Sequence, residues 1–147
     1  MRVSARADYA LRAVIELAAA PGRHVPGEEL AQAQRIPGRF LETILTHLRR
    51  GNIVRSERGP DGGFWLARPA AEISLAEVIR AIDGQILDQD GERAGTATYP
   101  GPAEPLLRVW IALRAFGPSV LETLTLADIV SGELWLPGGR RRPSGAP

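Results

Sequence analysis

Residues 35–68 read RIPGRFLETILTHLRRGNIVRSERGPDGGFWLAR, and the order of apolar and charged positions in that stretch decides the fold. Phe40, Leu41, Ile44, Leu45 and Leu48 recur at the spacing of a helix with about 3.6 residues per turn, leaving Arg39, Glu42, Thr43, Thr46, His47 and Arg50 on its other faces. Pro37 suits the first turn, where its missing N–H has no intrahelical partner, and Gly51-Asn52 is expected to stop the helix. An extended run begins at Ile53, Val54 and Arg55. Gly59-Pro60-Asp61-Gly62-Gly63 supplies turn chemistry, and Phe64, Trp65 and Leu66 return as a second strand before Pro69 ends it. An Arg-bearing helix followed at once by a narrow Arg-bearing hairpin predicts the probing end of a winged helix, with Arg58 at the base of the wing tip.

Upstream, Tyr9, Leu11, Val14, Ile15, Leu17 and Ala18 mark an amphipathic helix over residues 7–20 that Pro21-Gly22 terminates. Val25-Pro26 leads into a short helix over 27–34 with Leu30 and Ala31 inward, and only Arg35-Ile36 separates it from the 37–50 helix. Two helices joined by so short a turn predict a helix-turn-helix whose second member is the recognition helix. Downstream, Ser74 and Glu77 form a capping box for a helix carrying Leu75, Val78, Ile79 and Ile82, stopped at Asp83-Gly84. The pattern then dissolves into Gly, Asp, Thr and Pro until residue 105, a long stretch for a structureless connection. Leu106, Val109, Trp110, Leu113 and Phe116 restart a stripe that Val120, Leu121 and Leu124 continue past Gly117-Pro118, which predicts one long helix kinked at the proline. A last short helix over 126–130 starts at Thr125. The expected organisation is mainly α with a small β-hairpin: a winged helix-turn-helix domain over 1–83, a loop over 84–104, dimerisation helices over 105–132 and a flexible tail over 133–147.

The 147 residues carry a formal net charge of only +1, yet the charge is unevenly spread. Residues 1–68 hold eleven Arg against seven acids, and the remainder hold seven Arg against ten, so the winged end is the positive one. All 18 cations are Arg, which suits planar, bidentate contact to phosphate or guanine, although GC-rich coding yields the same habit. The absence of Cys excludes disulfides, thiol redox switches and Cys-ligated metal. No run approaches the roughly 20 apolar residues of a membrane span, and the first eight residues lack an apolar signal core, so no membrane partner and a cytoplasmic location are expected. No nucleophile stands beside a base at motif distance, and the glycines of 59–63 belong to a hairpin rather than opening a helix; an enzyme is not expected.

Arg39 is a base or phosphate contact, or else a solvated charge. Glu42 accepts from cytosine N4, or pairs with Arg39 or Arg49. Arg35, Arg49, Arg50 and Arg55 are candidate phosphate contacts, which position a protein on DNA without specifying sequence. His47 either donates to phosphate or is a plain exposed residue, and Thr43, Arg58, Gly59 and Gly62 complete the candidate surface. At least one of Phe64 and Trp65 belongs to the core, while His24 is a surface or edge residue. Leu106, Leu107, Trp110, Ile111, Leu113, Leu121 and Leu124 present more apolar surface than a small winged helix covers, and a second copy is the simplest cover. A homodimer with recognition helices about 34 Å apart would read a palindromic operator in double-stranded DNA. The alternatives are a C-terminal helix folded back on the first helix of a monomer, and a winged helix that docks a protein and ignores DNA.

Asp8-Tyr9-Ala10-Leu11-Arg12-Ala13, the Phe40-Leu41-Glu42 helix with Leu48-Arg49-Arg50-Gly51, the wing from Arg58 through Gly62-Gly63-Phe64-Trp65-Leu66-Ala67, residues 73–84 and Thr125-Leu126-Ala127-Asp128 resemble the Rrf2 family of winged-helix transcription factors. The resemblance covers residues 1–132. It implies homodimers crossed through a long C-terminal helix, mostly repressors, many holding an iron-sulfur cluster in the loop before that helix. It places Arg39 and Glu42 at base-reading positions and Arg58 at the wing position that enters the minor groove. Cluster-bearing members carry three Cys in the loop that here runs over 83–105, and this chain has none, so no conventional cluster, metal or other cofactor is expected. Asp8 is similar in position to a carboxylate that serves as a fourth ligand; its other reading is a solvated first-turn acid. One carboxylate with His24 and His47 does not replace soft sulfur donors. Control is then expected from an unknown small-molecule effector in the cleft between the winged part and the long helix, touched by Trp110 and Tyr99, or from a regulatory protein that masks the DNA face.

Overall fold

A computed structural model describes residues 3–84, 98–134 and 136. The first helix, α1 (Ala5–Ala18), begins two positions ahead of the expected start because the Ser4 hydroxyl accepts the Ala7 N–H at 3.0 Å and caps it. Ala7, Ala10, Leu11, Ala13, Val14, Ile15 and Leu17 are all buried, so α1 is covered on most sides. Around it pack α2 (Gly27–Gln34), α3 (Gly38–Arg50), α4 (Leu75–Asp83), α7 (Leu126–Ser131) and the second strand of the hairpin.

The turn between α2 and α3 is a Schellman motif. Ile36 N–H bonds the Ala31 carbonyl at 2.9 Å and Arg35 N–H the Gln32 carbonyl at 3.4 Å, with Arg35 in the left-handed region at φ 54. The end of α3 repeats it: Ile53 N–H bonds the Leu48 carbonyl at 3.0 Å, Asn52 N–H the Arg49 carbonyl at 3.2 Å, and Asn52 takes φ 57. The expected Gly51-Asn52 stop is present, but the left-handed residue is Asn52. Gly51 answers a different need, since a Cβ there would lie 3.1 Å from Ala81 Cβ on α4.

α3 buries Leu41, Ile44, Leu45 and Leu48 against α1 and α4. Phe40, assigned from its spacing to the same stripe, is 43% exposed. It lies in the first turn, where its ring meets only the edge of the core at Tyr9, with centroids 6.4 Å apart. The hairpin follows as β1 (Val54–Glu57) and β2 (Gly63–Leu66), antiparallel, with Val54 opposite Leu66 and Arg55 opposite Trp65. Val25, between α1 and α2, adds a bridge to β2 through bonds with Phe64 of 2.9 and 2.8 Å, fastening the wing to the body.

The capping box on α4 is present: Glu77 N–H meets the Ser74 hydroxyl at 3.1 Å and Ser74 N–H meets the Glu77 carboxylate at 2.8 Å. Thr125 and Asp128 cap α7 in the same way, and a short bridge between Ser74 and Thr125 holds the two helix starts together. The expected long kinked helix is instead two helices, α5 (Leu106–Phe116) and α6 (Ser119–Thr123). Gly117 separates them at φ 85 and ψ −173, a backbone that only glycine adopts without strain, so the chain changes direction and α6 packs on α4 and α5. Leu106, Trp110, Leu113, Leu121 and Leu124 are thereby buried within one protomer, correcting the expectation that they form an uncovered apolar face. Leu107 is half-buried and Ile111 is exposed. Leu134 and Leu136, within the expected tail, rest half-buried on the core, whereas residues 85–97 of the expected loop and 137–147 of the tail lie outside the described residues.

Candidate nucleic-acid interface

The polar side of α3 and the hairpin beside it carry exposed Arg39, Glu42, Thr43, Arg49, Arg50, Arg55 and Arg58. The Arg49 guanidinium donates to the Ser56 hydroxyl at 3.1 Å, tying the end of the recognition helix to β1. Helix and wing are therefore braced as one surface. Ion pairing engages four of the described guanidinium groups. Arg12 pairs with Asp8, Arg23 with Glu29, Arg68 with Glu77 and Arg80 with Glu122. Among the described residues, Arg35, Arg39, Arg49, Arg50, Arg55 and Arg58 have no carboxylate within ion-pair distance. Glu42 pairs with neither Arg39 nor Arg49; Arg39 instead lies over the Phe40 ring at 5.1 Å.

His47 is half-buried, and its Nδ1–H donates to the Thr43 carbonyl at 2.9 Å, so one ring nitrogen is used within α3. At the wing tip, residues 58–62, the Gly62 N–H closes a turn on the Gly59 carbonyl at 3.0 Å. A Cβ on Gly62 would lie 2.2 Å from the Glu57 carbonyl, and one on Gly63, at φ +147, would lie 2.7 Å from the Val25 backbone. These glycines let the tip turn tightly and let β2 reach Val25. His24 stacks on Trp65 with ring centroids 4.0 Å apart and 14° between planes, a contact that spacing alone did not reveal. A cavity of about 400 Å³ lies between the end of α1 and β2, lined in part by Leu17, Pro21, His24, Trp65 and Arg68.

A second polar cluster sits on the other side of α1. Asp8, Arg12 and Glu16 share one stripe of the helix, and the Tyr99 hydroxyl donates to Asp8 Oδ1 at 2.9 Å while accepting from Trp110 Nε1 at 2.7 Å. Tyr99 and Trp110, expected to touch an effector in the cleft between the winged part and the long helix, bond each other here. Burial raises the Asp8 carboxyl above its usual range, against the opposing pull of Tyr99 and Arg12. Burial also raises the Tyr99 hydroxyl far above its ordinary value, with the Asp8 charge adding to the effect, so the hydroxyl stays a donor.

The profile of the Rrf2 family, described as iron-dependent transcriptional regulators, matches residues 3–132. The chain belongs to the Rrf2 family. It is similar to a protein named as an HTH-type transcriptional regulator in Mycobacterium tuberculosis, with 51% identity over 135 residues, 91% of this chain and 84% of that one. It is also similar to the HTH-type transcriptional regulator IscR of Sodalis glossinidius, with 33% identity over 136 residues, 90% of this chain and 81% of that one. Among solved structures, CymR, the global cysteine regulator of B. subtilis, superposes with a TM-score of 0.66 at 28% identity, covering 90% of this chain and 98% of that one. T. potens IscR superposes with a TM-score of 0.66 at 27% identity, covering 91% and 89%. This Rrf2 chain is accordingly a transcriptional regulator with a DNA-binding winged helix-turn-helix, from a family of regulators and not of enzymes. No helix among the described residues is long and apolar enough to cross a membrane.

The iron in the family description meets a donor set that does not fit it here. The chain has no Cys, and no group of three or more His, Asp or Glu is placed to hold a metal among the described residues. Asp8 already accepts from Tyr99 and Arg12. Hard oxygen donors engaged in hydrogen bonds do not replace the thiolates that iron-sulfur chemistry uses.

Proposed function

We propose that this chain is a sequence-specific, homodimeric repressor that binds a palindromic operator and is controlled without a conventional iron-sulfur cluster. The observation that carries the reading is the set of guanidinium groups on the braced α3 and wing surface that no carboxylate among the described residues neutralises, whereas Arg12, Arg23, Arg68 and Arg80 are each paired. Uncompensated Arg on a convex helix and a narrow hairpin is what a phosphate backbone and two grooves require. Arg39 and Glu42, in the first two turns of α3, take the base-reading roles, with Thr43 and His47 beside them. Arg58, ahead of Gly59 and Gly62 at the wing tip, takes the minor groove, where negative potential is strongest. Arg35, Arg49, Arg50 and Arg55 hold phosphates.

The dimer reading rests on Ile111 and Phe116, which α5 leaves 55% and 50% exposed, with Leu107 beside them; the buried leucines of α5 and α6 support the fold beneath. Two copies joined there would present two recognition helices to successive major grooves, about 34 Å apart. The control step is assigned to a small molecule or a regulatory protein. The cavity beneath the wing is within the size range of small-ligand sites.

The test is selection of bound fragments from genomic DNA, followed by footprinting and sedimentation of the complex. Two symmetric half-sites bound by two chains are expected, with affinity falling steeply as salt rises. Indifference to every duplex at low ionic strength would leave the wing as a protein-docking device and end the proposal.

A further inference from the structure

Gln34, the last residue of α2, is a polar side chain with 0% exposure, directly before the left-handed turn that launches α3. A buried amide must find partners, and those of Gln34 come from distant parts of the chain. Its Nε2 donates to Glu16 Oε1 at 2.6 Å and to the Pro100 carbonyl, 66 positions away, at 3.0 Å. Its Oε1 accepts from Arg12 Nε at 3.2 Å, and its backbone carbonyl accepts from the same guanidinium. Arg12 continues to Asp8 at 3.4 Å, Asp8 accepts from Tyr99, and Tyr99 accepts from Trp110 on α5. The chain of donors runs in one sense, from indole to hydroxyl to carboxylate, and no buried side-chain polar atom lacks a partner among the described residues. The residues just ahead of α5 are therefore fastened at two points, Tyr99 and Pro100, to the framework that holds the helix-turn-helix turn.

An apolar residue at position 34 would have satisfied the α2 stripe through Leu30 without the side-chain bonds to Arg12, Glu16 and Pro100. A fully satisfied polar network instead sets one relative placement of the groups it joins, because a shift that breaks one bond strands a buried donor or acceptor. We infer that this network is a metal-independent coupling between the recognition helix and the region ahead of α5, with Gln34 and Tyr99 as positioning residues through which DNA contact at α3 and the packing of Trp110 change together. The inference rests on the DNA-binding reading above and deepens it by naming where regulation enters. The iron of the family description has no fitting donors here, and hydrogen bonds supply the link between the loop and α1.

A protein carrying Trp65→Phe and Trp135→Phe retains Trp110 as the only indole. Binding is read from the anisotropy of a labelled operator duplex, and the network is read from Trp110 emission in the same titration. The expected result is a Trp110 emission change that follows the binding curve, loss of that change in Gln34→Leu while the duplex still binds, and an affinity at least about 5-fold weaker in Tyr99→Phe, the scale of an ordinary coupling. Ferrous iron with sulfide, added anaerobically, should alter neither the visible spectrum nor the affinity. Duplex binding with silent Trp110 emission overturns the coupling and leaves the DNA reading standing, and needs no network variant to fold. Absence of any anisotropy change sinks the DNA reading and the coupling with it. A new visible band accompanied by changed affinity overturns metal independence.

Discussion

Arg35 answers two demands at once. Its φ of 54 closes the turn into α3, a conformation that costs an L-residue about 1–2 kcal/mol, and its exposed guanidinium stands on the side assigned to phosphate. Arg35→Gly separates the two. The urea midpoint should rise, corresponding to a gain of up to about 1 kcal/mol after the added freedom of the unfolded chain is offset, while duplex affinity falls and the salt slope drops by about one. A variant that is both less stable and unaltered in its salt dependence would contradict both roles. Arg58→Ala should weaken duplex binding several-fold with little effect on the midpoint, because no carboxylate among the described residues is stranded by loss of its charge. Gly63→Ala should do the reverse by the opposite mechanism: a Cβ 2.7 Å from the Val25 backbone forces β2 off its bridge and costs about 1–3 kcal/mol, visible in thermal unfolding.

Helix ends carry the argument at the next scale. The start of α4 is held by reciprocal bonds between Ser74 and Glu77, and Arg68 reaches the same carboxylate at 2.9 Å from the end of the wing. Burial pushes the Glu77 carboxyl up, but the Ser74 N–H and the Arg68 guanidinium outweigh it and hold the group below its ordinary 4.5. A depressed carboxyl contributes stability that is fully present above the unfolded value and is lost as pH falls through the folded one. The stability difference between the parent and Glu77→Gln should therefore be constant at neutral pH and shrink below pH 4.5; urea melts across that range decide it. Ser74→Ala, which removes the cap itself, should cost about 1 kcal/mol at neutral pH.

For the molecule as a whole, α1 is the common wall. Leu11, with no exposed surface, lies in the helix that α2, α3, α4 and α7 all touch, so Leu11→Ala should cost about 2–5 kcal/mol. The buried apolar residues form one cluster running from Ala7 to Ile129, and loss at its centre should lower a single transition. Far-UV circular dichroism and Trp fluorescence should report the same midpoint; two separated midpoints would mean that the C-terminal helices melt apart from the wing.

Local pattern determined the recognition helix, the hairpin and the helix starts at Ser74 and Thr125, since the spacing of Leu41, Ile44, Leu45 and Leu48 and the Ser74–Glu77 pair act within a few residues of chain. It also placed the exposed Arg set on α3 and the wing, because a residue off the apolar stripe has only solvent or a partner to face. Gln34 was legible only as an anomaly, a polar residue four positions after Leu30 on the inward side of α2. Tertiary structure alone decided what answers it, since Pro100 lies 66 positions from Gln34 and Tyr99 lies 91 from Asp8, and only the fold brings them together. The same holds for Val25 on the wing and for the leucines of α5 and α6, whose stripe announced that they would be covered without saying by what. Periodicity reports which side of an element avoids water; the identity of its cover depends on contacts between residues far apart in sequence, and those exist only once the chain has packed.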